Sequence, residues 1–297
     1  MSTDHGLHRV ALSGSTMGTR YSCVFYAPSA GGHEALANRL SDAVTHVDLV
    51  MSNWKPESVL SRLNDVSPGQ WVDVPESLMT VLAAALRIEA QSNGAFDIGV
   101  ALEVADWGFG PHASKTPGAS LDRKPREATY ANLELDRTNS QVRKHAPLAL
   151  DLSGIAKGYG VDCLGEVLTK AGIASWLVGI DGEMRGKGLK PDGSPWAVGH
   201  ERPVPGQREI MGVIELTDLA VATSGAYRQF HDAGGRTVSH TIDPRTGQPI
   251  EGKLRSATVL AGTCMEADAW ATAILVDGHW PPKGFPMPIG VEAILAN

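Results

Sequence analysis

Apolar positions along this chain fall into two rhythms. Residues 21–26, YSCVFY, are rich in aromatic and branched side chains and alternate, which predicts a strand. Over 33–51 the apolar residues Leu36, Leu40, Val44, Val47 and Val50 recur at helical spacing and predict an amphipathic helix. A second helix is predicted over 75–92, with Pro75 suited to a first turn and Asn93-Gly94 to a stop. Further on, 149–152 reads as a short strand and 154–172 as a helix ended by glycine. Strands are predicted at 176–180, 196–199, 212–216, 220–223 and 256–261, followed by a helix over 266–276. Strand runs interleaved with isolated helices indicate the α+β class, not a regular βαβ alternation. The stretch 110–126 is polar and rich in Pro, Gly and Lys, and reads as an exposed excursion or subdomain connection.

Composition narrows the function. The 297 residues are 42% hydrophobic and 20% charged, with 26 basic against 33 acidic side chains and a formal charge of -7. Such a chain can bury one large domain or two subdomains. Net acidity without a Lys/Arg cluster argues against general nucleic-acid binding. Cys23, Cys163 and Cys264 include no CxxC pair, so a disulfide framework is not expected. No stretch reaches the ~18 apolar residues of a membrane span, and MSTDHGLHRV lacks the features of a leader. The expectation is a cytoplasmic protein as written, or a periplasmic one if a leader has been removed.

Three segments carry candidate chemistry. DLSGIAKGYGVD, 151–162, lies where a strand is predicted to hand over to a helix, and a helix start offers unpaired N–H groups to a phosphate. Lys157 would add a full charge, although the spacing is neither a P-loop nor a dinucleotide fingerprint. The alternative is a helix capped by Asp151 or Ser153, with Lys157 solvated. In EADAWAT, 266–272, Asp268 and Thr272 are four residues apart on one helical face and could share a hard cation such as Mg²⁺. Alternatively Asp268 caps the helix and Thr272 merely faces inward. Glu266, two positions away, points elsewhere. In SHTIDPRTGQPI, 239–250, a turn from Asp243-Pro244 to Gly247 follows His240, a candidate general base.

Glycine-bearing turns at MGTRY, NGAFDIG, GIDGE and TSGAY permit close approach to a ligand. Trp54 in MSNWKPES and Trp107 in DWGFGP could stack on a flat heterocycle, but core burial is the expectation for both.

Taken in order, MGT from Met17, MSNWKPESVLSRLND, FDIGVALEVADWGFGP, DLSGIAKGYGVD, ATSGAYRQF, SHTIDPRTGQPI and EADAWATA resemble the FAD:protein FMN transferase family, known as ApbE. The resemblance covers nearly all of the chain up to about its last helix. It implies a single flavin transferase domain over 1–297, with mixed or antiparallel sheets, flanking helices and two intertwined subdomains. It also implies a Mg²⁺-dependent enzyme that cleaves FAD, transfers FMN to a Thr or Ser hydroxyl of a flavoprotein subunit of a redox complex, and releases AMP. Flavin and adenosine contacts carry over to Met17, Trp54, Ala95, Phe96, Asp97, Asp151, Lys157 and the Ile242 backbone. Metal positions carry over to Gly154, Asp268 and Thr272, and the acceptor base to His240. Trp54 stands where tyrosine is frequent, Lys157 where some relatives carry glutamate, and Ala271 where some carry aspartate. FAD pyrophosphatase activity and non-catalytic flavin binding are the alternatives.

Overall fold

The computed structural model describes residues 6–115, 128–204, 209–226, 230–233, 236–251, 254–284, 286 and 290–296. Most of the predicted 110–126 excursion, residues 116–126, therefore lies outside the described residues. The chain begins with β1 (His8–Thr16), β2 (Thr19–Ala27), α1 (Glu34–Met51), α2 (Val59–Asp65), β3 (Trp71–Asp73) and α3 (Glu76–Gln91). It continues through α4 (Ala101–Asp106), α5 (Thr129–Asn132), β4 (Leu133–Asp136), β5 (Gln141–Lys144) and α6 (Ala156–Lys170). Next come β6 (Trp176–Ile180), β7 (Glu183–Lys187), β8 (Trp196–Glu201), β9 (Ile210–Leu216) and β10 (Leu219–Gly225). The last elements are β11 (Phe230–Ala233), β12 (Arg236–Ser239), β13 (Ile242–Asp243), β14 (Gln248–Pro249), β15 (Ser256–Ala261), α7 (Cys264–Asp277) and β16 (Glu292–Ala296).

The α+β expectation holds, and every described strand pairing is antiparallel. Seven strands form the main sheet in the order β1-β2-β6-β7-β10-β15-β16. One core cluster gathers α2, α3, the 95–98 segment and most of α7; a second gathers β1, β2, β6 and α6. Both draw on α1 and α7, so these helices link the two clusters. The periodicity of α1 is realised in the burial of Leu40, Val44, Val47 and Val50, whereas α7 is buried almost all round, as a central helix must be.

Several expectations are corrected. Residues 149–152 form no strand. The Asn64 side chain instead satisfies Leu150 like a strand partner: its Nδ2 donates to the Leu150 carbonyl at 2.9 Å and its Oδ1 accepts the Leu150 N–H at 2.8 Å. Asp151 N–H then donates to the Ile98 carbonyl at 2.6 Å. β7, EMRGK, lacks an apolar alternation because its charged side chains face α6: Arg185 pairs with Asp162 and Glu183 with Lys157. The proline-rich tail returns as β16, an edge strand on β15.

Helix α6 packs closely because its glycines leave room. A Cβ on Gly158 would lie 2.3 Å from the Cys264 carbonyl oxygen and 2.8 Å from the Asp268 Cβ. One on Gly165 would lie 2.4 Å from the Trp176 ring. These glycines answer helix packing as well as any ligand.

Candidate active site

The two stretches expected to share a cation meet. Gly158 N–H on the first turn of α6 donates to Asp268 Oδ2 at 3.0 Å, across a sequence separation of 110. One turn earlier, a Cβ on Gly154 would stand 3.2 Å from Thr272 Oγ1 and 3.3 Å from Phe96 Cε2. Thr272 Oγ1 also lies 3.0 Å from the Ser224 hydroxyl. Gly154, Phe96 and the α7 residues Asp268 and Thr272 therefore meet at one junction of three chain segments, to which α7 brings a carboxylate and a hydroxyl. Among the described residues no group of three or more His, Cys, Asp or Glu is arranged as a metal site, so any metal here rests on this mixed oxygen set.

Neither capping alternative survives. Thr263 caps α7, its hydroxyl accepting from Glu266 N–H, and Asp162 adds a second cap by accepting from Cys264 and Met265 N–H at 3.0 and 2.9 Å. Asp151 accepts from Ser153 N–H at 2.7 Å but makes no cap at the Ile155 position preceding α6. The amides at the start of α6 are partly used within the protein, Ala156 donating to Leu152 and Gly158 to Asp268. Glu266 pairs with Arg87 at 2.7 Å, well apart in role from Asp268.

Lys157 is half-buried and ion-paired, not a free solvated charge. Its Nζ bonds Glu183 Oε1 at 2.6 Å and approaches Asp181 Oδ2 at 3.8 Å. Burial pushes the Asp268 carboxyl up to about 7, with the Glu183 charge second and Lys157 and the Gly158 N–H opposing. Around the buried Asp268 carboxyl, Glu183, Asp181 and Asp162 stand against Lys157 and Arg185, three carboxylates facing two cations, an excess of one negative charge before Asp268 itself ionises.

Met17 and Gly18 form the two-residue loop of the β1–β2 hairpin with φ of 45° and 72°. Positive φ at a methionine is strained and places its side chain deliberately. Its Cε would be 3.0 Å from a Cβ on Gly160, beside the start of α6. Ala95 and Phe96 are buried, and Asp97 accepts from Gly99 N–H at 2.7 Å and the Thr129 hydroxyl at 2.6 Å. Trp54 overturns the core expectation: it is 70% exposed, on a turn braced by its own N–H donating to the Ser52 hydroxyl. Trp107 is half-buried. Ile242 is buried in β13, and His240, two residues before it, meets the Phe109 ring edge-on. The predicted turn forms, with Thr246 and Gly247 N–H donating to the Asp243 carbonyl.

With this geometry in view, comparison with known proteins is decisive, since the ApbE family model matches residues 17–284. The chain belongs to the ApbE family. A Vibrio cholerae protein named FAD:protein FMN transferase is 37% identical over 274 residues, 91% of this chain and 82% of that protein. An Escherichia coli K12 protein of the same name is 32% identical over 280 residues, 92% and 80% of the two chains. The apo crystal structure of Pseudomonas stutzeri flavinyl transferase ApbE superposes with a TM-score of 0.80 at 32% identity, covering 91% of this chain and 85% of that one.

Within this ApbE chain, several site residues escaped the sequence reading. Glu183 and Ser224 fell in segments valued only as turns, and Asp162 in a motif whose glycines drew attention. Glu89 had a signal: it stands on the stripe of Val81 and Ala85, where an acid does not belong unless partnered. It is fully buried, accepts from Thr129 and Tyr130 N–H at 2.7 and 2.9 Å, and adjoins Asp97. Burial, with the Asp97 charge second, pushes Glu89 up to about 8 and outweighs the two N–H donors.

This raised value has a defined sign in stability. The native state keeps a proton on Glu89 that the unfolded chain releases near 4.5, so the contribution is whole below that pH and lost as pH rises through about 8. Glu89→Gln is expected to remove this component, at most about 1.4 kcal/mol per pH unit within the window. Urea unfolding at pH 5.5 and 8.5 checks it; equal pH dependence in both proteins would refute the retained Glu89 proton.

Among the described residues no helix is long and apolar enough to cross a membrane.

Proposed function

We propose that this chain transfers the FMN half of FAD to a Thr or Ser hydroxyl of a flavoprotein subunit and releases AMP. The observation that carries this reading is the junction of Gly154 and Gly158 with Thr272 and Asp268, which unites two distant segments around one set of oxygens. The family's named transferases supply the substrate class.

The residues fit a divalent cation. A buried carboxyl held near neutrality by burial and by Glu183 regains its charge when a cation approaches, and the local excess of acid favours that cation. Asp268, Thr272 and the Gly154 carbonyl would hold Mg²⁺, an ion that accepts such oxygens and keeps waters and phosphate ligands for the rest. Bound there, Mg²⁺ would neutralise charge developing on the pyrophosphate.

The protein's own groups do the positioning. Lys157, on the first turn of α6, keeps its ammonium between Glu183 and Asp181 close to Asp268. Met17, Ala95, Phe96, Asp97, Asp151 and the Ile242 backbone contact the flavin and adenosine parts, and exposed Trp54 offers an indole face for stacking. His240 accepts the proton of the acceptor hydroxyl as its oxygen bonds the FMN phosphorus; the phosphoanhydride bond breaks and the electron pair leaves with AMP.

Incubation with FAD, Mg²⁺ and a purified flavoprotein subunit of a sodium-pumping quinone reductase tests the reading. Flavin that remains on the subunit after denaturation, with equimolar AMP, is expected. Free FMN and AMP with an unmodified subunit would make the chain an FAD pyrophosphatase, and intact FAD would make it a flavin-binding protein.

A further inference from the structure

We propose that Trp107 and Phe109 are positioning residues for His240, and that the 95–110 segment thereby ties the acceptor base to the flavin site. This inference rests on the reading of His240 as the acceptor base. β13 and β14 contribute two residues each, and a ribbon that short cannot hold its own place. His240 precedes it, so its aim depends on what the hairpin leans against.

What it leans against is α4 and the turn that follows. Trp107 Nε1–H donates to the Gly247 carbonyl at 2.9 Å, fixing the hairpin's turn. Gly247 has φ +68°, and a Cβ there would come within 3.6 Å of Glu103 Cγ, so the turn lies close on α4. Phe109 presents its ring edge-on to the His240 imidazole, centroids 6.2 Å apart at 67°. At the other end, the Arg245 side chain passes Gly94, its Cγ 3.7 Å from a Cβ placed there.

The support is itself well fixed. Trp107, Gly108 and Phe109 N–H donate to Glu103, Ala105 and Val104 carbonyls, and Gly108 and Gly110 take positive φ to close the turn. The same run begins with Ala95, Phe96 and Asp97, of which Phe96 packs on Gly154. One continuous segment thus carries flavin-side residues at one end and the brace of His240 at the other. A shift at the hairpin changes the distance from base to acceptor without disturbing the Asp268 junction, and small displacements cost rate steeply.

The test is a double-mutant cycle on FMN transfer to the quinone-reductase subunit, with FAD affinity measured beside it. Trp107→Phe keeps an aromatic ring and deletes the donor; it is expected to slow transfer at saturating FAD about 3- to 10-fold, the factor of one neutral hydrogen bond, with any change in FAD affinity through Ile242 read separately. In a His240→Ala background the same substitution is expected to cost nothing further. Phe109→Leu, which removes the ring edge but keeps bulk, should repeat the pattern and serves if Trp107→Phe fails to fold. Equal losses in both backgrounds would overturn the positioning role while leaving His240 as base. Full transfer by His240→Ala alone would overturn the base and, with it, this inference.

Discussion

Asp268→Asn is expected to reduce FAD cleavage about 10²- to 10³-fold, the scale of losing one preorganised charge-stabilising group, with excess Mg²⁺ restoring only part of it. Asparagine preserves the volume of the side chain and an oxygen that can accept the Gly158 N–H. Alanine would leave that N–H without its acceptor in a buried place, and its loss of activity would mix folding with chemistry. Stability should not fall with asparagine, because burial and the Glu183 charge already oppose ionisation of Asp268. The measurement is initial AMP release against Mg²⁺ concentration, with melting temperature recorded alongside. Wild-type turnover in this variant would discard the metal assignment, and lowered melting with lowered turnover would make Asp268 chiefly a packing residue.

The elements legible in the sequence were those whose side chains face one apolar environment. α1 announced itself because Leu40, Val44, Val47 and Val50 all enter the core. β2, β6 and β15 did so through aromatic and branched residues. β7 did not, since the partners of Glu183 and Arg185 are ionic groups on α6, and a charged strand face resembles a loop. The segment before α6 failed in the opposite sense. Leu148, Leu150 and Leu152 are buried and look like a strand, yet Asn64, 86 residues away, supplies the hydrogen bonds a strand partner would. No local pattern can reveal an amide reaching across that separation.

For the site, the Asp268 and Thr272 pair was readable from helical spacing, because i and i+4 share a face whatever lies opposite. Which groups lie opposite was not readable. Lys157 was expected to offer a free positive charge to phosphate, but Glu183 and Asp181 share that charge, and the demand for a cation at Asp268 is correspondingly greater. Trp54 was expected in the core and stands exposed, as a stacking surface would.

His240→Ala is expected to lower FMN transfer to the acceptor subunit about 10²- to 10⁴-fold, the usual span for a lost general base, while FAD affinity stays within about twofold. The asymmetry follows from placement. Asp268, Thr272 and Lys157 are fixed by α6, α7 and β7, whereas His240 lies just before the β13–β14 hairpin and meets the Phe109 ring. The ring-edge contact with Phe109 is worth about 0.5–1.5 kcal/mol against a total stability of about 5–15 kcal/mol, and the melting temperature of the variant is recorded beside its activity. Transfer is read as flavin retained on the denatured subunit, and affinity as quenching of flavin fluorescence under anhydride-preserving conditions without Mg²⁺. If FAD binding collapsed together with transfer, His240 would be a contact to the nucleotide, and the acceptor hydroxyl would lose its proton to another group.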